Sequence, residues 1–227
     1  MQSELQLDAA STALLLIDLQ EEQRSDPLYK ASGTDTVLRN AAQLLNAARA
    51  RGITVIHAAY RRDYAAVPPR PFEPRGLDGA AVFSSKDDPA TAICAEVIPV
   101  AGETVISKND ASAFSEPALD LELKSRRIEW LVIAGVWTEA CIAATVRDGI
   151  ARGYRILLVK DACGSGSDFM HKVAVLNLAN RLYGGAIADT ARAIALLRGS
   201  SALVWRTRRP VPLVFDAEDF ARHYDSL

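Results

Sequence analysis

From residue 13 onward the chain alternates short apolar runs with stretches whose apolar positions recur at helical spacing. Ala13 to Asp18 reads ALLLID, an unbroken apolar run ending in an acid, and predicts a strand buried on both faces. Thr36 to Arg51 predicts a helix with Val37, Leu38, Ala41, Leu44, Leu45 and Ala48 on one face, stopped by Gly52. Further strands are expected at Ile53 to Ala59, Thr104 to Ser107, Trp130 to Val136, Arg155 to Lys160 and Ala186 to Ala188. Helices are expected from Pro117 to Arg126, Thr138 to Arg152, Ser167 to Leu182 and Thr190 to Leu197. Such alternation predicts a three-layer α/β/α sandwich, Rossmann-like, around a mostly parallel six-stranded sheet. Residues 1–198 form one domain on this reading. The tail, 199–227, has too little apolar sequence to fold alone and is expected to pack on the domain or on a neighbouring subunit. Residues 61–92, rich in Pro, Gly, Arg and Asp, predict a loop of a length that is often functional.

Composition narrows the function. The net charge of −2 argues against a general nucleic-acid binder, and one basic run, WRTRR at 205–209, is weak support for an RNA-associated role. The apolar runs are strand-sized, and no basic segment leads into an apolar one at the start, so a cytoplasmic protein without a membrane span is expected. Cys94, Cys141 and Cys163 cannot all pair and form no C-x-x-C motif. A special cysteine would therefore act alone, as a nucleophile; the plain alternative is a small buried apolar residue.

Ligands of open α/β sheets bind beyond the carboxyl ends of the strands. Three reactive residues are expected on that rim: Asp18 ends the first strand, Lys108 follows the third, and Cys141 lies in the first turn of the helix after the fourth. They are a proton acceptor, a cation and a thiol. The positive end of the helix and the ammonium both favour the thiolate that attacks, and the carboxylate can carry the proton from thiol to leaving amine. Backbone N–H groups of Trp137 and Cys141, at the helix start, are candidate donors to an oxyanion.

These residues and their surroundings resemble the isochorismatase-like cysteine hydrolases, a group that takes in nicotinamidases, N-carbamoylsarcosine amidase, and biuret and ureidoacrylate hydrolases. LLLIDLQ at 14–20, VISKNDASAF at 105–114 and VIAGVWTEACIAATVRDGIARGYRILLVKDAC at 132–163 carry the likeness, which spans roughly residues 11–198. The resemblance implies an amidohydrolase acting on a small amide, carbamoyl or ureido substrate. In it Asp18 is general base, Lys108 supports the thiolate and Cys141 attacks. It also implies a non-proline cis peptide at Val136–Trp137 that aims the Trp137 N–H into the oxyanion hole, no cofactor, and a homodimer or homotetramer. The nicotinamidase metal site needs an aspartate and histidines after the second strand. Here His57 lies inside that strand, where a satisfied core histidine is the expectation, and no D-x-H follows it, so no catalytic metal is expected, the hydrolase is read as metal-independent, and a nicotinamidase is not the expectation.

Gln23, Tyr60, Arg61, Phe114 and Trp137 are the candidate substrate-binding residues, with Gln20 and Arg62 as neighbours on the same rim. An arginine there would suit a carboxylate-bearing substrate. Trp137 narrows the pocket or stacks on a planar substrate, unless it is a core aromatic. Cys163 and His171 are expected to be structural, Asn109 and Asp110 to shape the loop after Lys108, and GSGS at 164–167 to be a turn. Two other readings keep the fold: a vinyl ether hydrolase using the acid alone, and a non-catalytic flavodoxin-like binding protein.

Overall fold

The computed structural model describes residues 1–227. In chain order the elements are β1 (Gln2–Leu5), β2 (Thr12–Ile17), α1 (Glu22–Ser25), α2 (Thr34–Ala50), β3 (Thr54–Tyr60), β4 (Thr104–Lys108), α3 (Pro117–Ser125), β5 (Trp130–Val136), a π-helical turn (Thr138–Ile142) running into α4 (Ala143–Ala151), β6 (Arg155–Gly164), α5 (Asp168–Ala179), β7 (Ala186–Ala188), α6 (Thr190–Leu197), β8 (Ala202–Trp205) and α7 (Phe220–Asp225).

One eight-stranded sheet runs β1-β8-β7-β6-β5-β2-β3-β4. The six strands expected from the sequence are its parallel part. The two extra strands, β1 and β8, lie at one edge, antiparallel to each other, and β8 is antiparallel to β7. They escaped the sequence reading because a four-residue edge strand carries little periodicity: the burial pattern of β1 has one buried position. β8 and α7 both come from the tail, so the tail folds back on its own domain. Trp205, Leu213 and Leu227 are buried there, and α7 lies on α5.

The unbroken apolar strands follow from the two-residue period of a strand. Leu14 and Leu16 enter the core under α2 and α6, while Ala13, Leu15 and Ile17 enter the core under α3, α4 and α5. Every residue of β2 and of β5 is buried. The chain leaves β2 toward β3 and β4, then returns to β5 on the other side of β2. That reversal opens a crevice at the carboxyl ends of β2 and β5, the usual ligand position in such sheets. Gly135 allows the two strands to meet there. Its φ is +137°, and a Cβ would stand 2.0 Å from the Ile17 carbonyl oxygen.

Candidate active site

Asp18 is the residue at which β2 stops. Its φ of +53° lies in the left-handed region, which aspartate tolerates better than bulkier residues, and its N–H donates to the Ala58 carbonyl at 2.8 Å. The carboxylate is buried. Oδ2 stands 3.0 Å from Lys108 Nζ, and Oδ1 makes no hydrogen bond within the chain. A buried acceptor left open in this way calls for an explanation, and a place waiting for a proton is one.

Lys108 ends β4, two strands from β2, and its long stem crosses beneath Tyr60 to reach the crevice. It is 0% exposed. Its Nζ lies 4.3 Å from the centre of the Tyr60 ring, donates to the Asp110 carbonyl at 3.1 Å and stands 3.3 Å from Cys141 Sγ. Cys141 comes from the π-helical turn after β5. Single π turns are frequent at functional sites. Acid, lysine and thiol thus meet at one point from three strand ends.

The charges of the three are coupled. Burial pushes Asp18 up, against the pull of Lys108, Cys141 and a backbone N–H. Burial also works against the Lys108 ammonium, but the neighbouring Asp18 and Cys141 outweigh it and hold the lysine charged. Cys141 differs from the sequence expectation. Burial pushes its thiol up, the charge on Asp18 adds to the effect, and Lys108 is outweighed. Burial and the charge on Asp18 thus disfavour the Cys141 thiolate, and Lys108 opposes them. The other two cysteines are buried, with burial raising both to about 12.

Beside the trio is a cavity of about 280 Å³. Asp18, Cys141, Ala140 and Val136 form its floor, while Gln23, Tyr29, Tyr60, Phe83, Asp110, Ala111 and Trp137 form its walls. The Val136–Trp137 peptide is cis. The Trp137 N–H makes no backbone hydrogen bond, whereas its carbonyl accepts from Ala140 and Ile142 at 3.1 Å each. The indole Nε1 donates to Gln23 Oε1 at 2.7 Å. Gly166 seats the indole, since a Cβ there would stand 2.7 Å from the ring. Trp137 is therefore a cavity wall, held in place by Gln23 and Gly166, and not a core aromatic.

Of the residues expected to bind substrate, Gln23, Tyr60 and Trp137 line the cavity; Arg61 and Phe114 do not. Arg61 follows Tyr60 at the end of β3, and its side chain goes to Ser107 Oγ and the Thr91 carbonyl, both at 3.3 Å, instead of joining Tyr60 at the cavity. Phe114 packs in the core against Tyr154, ring centres 5.6 Å apart, because the turn after Lys108 swings it under the sheet toward α4. Gln20 is a strut: its amide bridges the Tyr60 backbone and the Thr91 carbonyl. Arg62 is buried in a two-pronged pair with Glu73, at 3.0 Å on each prong. His57 Nε2 bonds Glu103 at 3.1 Å, and Glu103 precedes β4, at the end of that strand opposite the crevice. Ser167 of the GSGS segment caps α5 through the Met170 N–H.

The sequence reading missed Tyr29, Phe83 and Glu22. Phe83 comes from the long loop, where VF in a polar stretch was the one available signal. Its ring meets Tyr29 and Tyr60, at 5.0 and 5.6 Å between centres. Glu22 is buried and grips the residue after Phe83. It accepts from the Ser84 N–H at 3.1 Å and from the Ser84 hydroxyl. Burial pushes the Glu22 carboxyl up against those bonds. His171 also matters to the floor. It bonds Thr138 Oγ1 at 2.8 Å and the Tyr224 hydroxyl at 3.1 Å, so it joins the head of the π-helical turn to the tail. Burial lowers it to about 4, and it is neutral at pH 7.

The isochorismatase domain model matches residues 12–192. Maleamate amidohydrolase from Pseudomonas putida is 32% identical over 181 residues, covering 77% of this chain and 82% of that protein. Ureidoacrylate amidohydrolase from Methylobacterium radiotolerans is 29% identical over 205 residues, covering 82% and 79%. Among solved structures, an isochorismatase family protein from Desulfovibrio vulgaris superposes with a TM-score of 0.73 at 25% identity, over 82% of this chain and 98% of that one.

Proposed function

The chain belongs to the isochorismatase family of hydrolases, and on that premise we propose that it cleaves the C–N bond of a small amide, carbamoyl or ureido compound, with Cys141 as nucleophile. The observation that carries the proposal is Lys108 Nζ standing 3.0 Å from the Asp18 carboxylate and 3.3 Å from Cys141 Sγ at the floor of a cavity.

In the reaction, Cys141 Sγ attacks the carbonyl carbon as its proton passes to Asp18. Because burial and the charge on Asp18 push the thiol up, proton transfer accompanies attack. The acceptor must be close and of raised pKa, as Asp18 is. Lys108 stabilises the negative charge as it moves from carboxylate to sulfur. The carbonyl oxygen becomes an oxyanion and takes hydrogen bonds from the Trp137 and Cys141 N–H groups. Collapse breaks the C–N bond, Asp18 returns the proton to the departing nitrogen, and ammonia or an amine leaves an acyl-thioester on Cys141. Asp18 then takes a proton from water, hydroxide adds to the thioester, and the acid leaves as sulfur regains its proton.

Ammonia release from a panel of small amides and ureido compounds, compared with Cys141→Ala, tests the proposal. Turnover in the unaltered chain, its loss in the variant and a trapped adduct of acyl mass on Cys141 support it. Turnover that survives Cys141→Ala but disappears in Asp18→Asn would instead identify acid-only chemistry and remove the nucleophile from the scheme.

A further inference from the structure

Resting on the amide-hydrolase reading, we propose that the cavity selects amides whose non-reacting end is uncharged, flat and apolar, and that it turns away amides ending in a carboxylate. The walls beyond the reacting trio are mostly aromatic: Tyr29, Tyr60, Phe83 and Trp137. The charged groups that line the cavity, Asp18 and Asp110, are both acids, and no arginine, lysine or histidine is among the lining residues.

The cations nearby are engaged elsewhere. Lys108 lies behind Tyr60 and is held by Asp18, Cys141 and the Asp110 carbonyl. Arg61 points to Ser107 and Thr91, and Arg62 is clamped by Glu73 and the Asn109 carbonyl. Arg70 is exposed and paired with Asp110. Most neutral donors also have partners. Trp137 Nε1 bonds Gln23 Oε1, and the Gln23 amide nitrogen bonds Glu22 at 3.3 Å. Among the wall side chains that leaves the phenol hydroxyls of Tyr29 and Tyr60. A carboxylate taken out of water needs charged or multiple donors to offset its lost hydration, and it would enter here beside two acids.

Size and shape favour the other class. Roughly 150 Å³ of apolar cavity accommodates benzene. The volume here, about 280 Å³, has room for a ring and an amide. Aromatic walls prefer a flat partner in offset or edge contact.

Two matched pairs test the inference: benzamide against 4-carboxybenzamide, and methyl maleamate against maleamate. Affinity is measured calorimetrically on Cys141→Ala, where no turnover intervenes, and kcat/KM by ammonia release on the unaltered chain. The neutral member of each pair is expected to bind and react about tenfold better or more. Asp110→Asn, which removes an acid from the wall and releases Arg70, is expected to narrow that gap about threefold or more. Equal affinity within a pair, preference for the acid, or no measurable affinity for either neutral compound overturns the inference. Preferential binding of the neutral compounds without turnover above the Cys141→Ala level leaves the selectivity standing and removes the hydrolase reading.

Discussion

The cavity joins two regions of opposite construction. Its floor and the lysine behind it come from the ends of parallel strands: Asp18 follows β2 and Lys108 closes β4, both set by the backbone ladder, and Cys141 sits in the helical turn after β5. Its wall hangs from the β3–β4 connection, where Phe83 is 39% exposed and the loop is held by side chains: Glu22 on Ser84, Arg62 on Glu73 and Lys86 on Asp63. Backbone ladders place an atom closely and resist substitution. Side-chain clasps place a surface and can be exchanged one at a time. On the proposed function, the chemistry assigned to the floor and the selectivity assigned to the wall can therefore change independently.

Substitutions should separate floor from wall. Cys141→Ala is expected to lower turnover by roughly a thousandfold or more while the melting temperature stays within a few degrees, as read by ammonia release and calorimetry. Lys108→Met leaves Asp18 buried without its partner. Urea denaturation at pH 7 should show a loss of about 3–5 kcal/mol, which would mark the floor as structural as well as chemical.

Acid should loosen the floor through His171. Its folded pKa, about 4, lies below the ordinary histidine value of 6.5, so between those values the unfolded chain binds the proton first. The contribution is complete above pH 6.5 and is lost as pH falls toward 4, by at most about 3 kcal/mol. His171→Gln should flatten that part of the stability–pH curve.

Wall changes should be milder. Phe83→Ala is expected to raise KM about tenfold while kcat moves by less than about threefold; a comparable fall in kcat would mean that the wall also orients the reacting carbonyl. Glu22→Gln weakens the grip on Ser84 and should cost about 1 kcal/mol, with a small rise in KM and an unchanged kcat.

Legibility in the sequence follows the same division. Asp18 and Cys141 could be read because each adjoins a strand whose unbroken apolar run announces it, and topology sends those ends to one crevice. Tyr60, leaving β3, was legible for the same reason. Arg61, one residue further, was not: strand alternation turns its side chain to the other side, and the partners that receive it, Ser107 and Thr91, lie 46 and 30 residues away. Phe114 follows Lys108 closely in sequence, yet the intervening turn carries it into the core. Phe83 and Tyr29 sit in connections without periodicity, and their meeting depends on a carboxylate, Glu22, that gives no sign of its burial until the chain is folded.

Local periodicity and a short list of chain connections specify the layered α/β architecture, the parallel centre of the sheet and the convergence of an acid, a lysine and a thiol. Those features were therefore open to reading from the residues alone. The antiparallel edge made by β1 and β8, the aromatic wall, the direction in which Arg61 points and the upward push of burial on the Cys141 thiol emerged with folding. Each of those is set by distance and solvent exclusion between residues far apart in the chain, which local pattern does not encode.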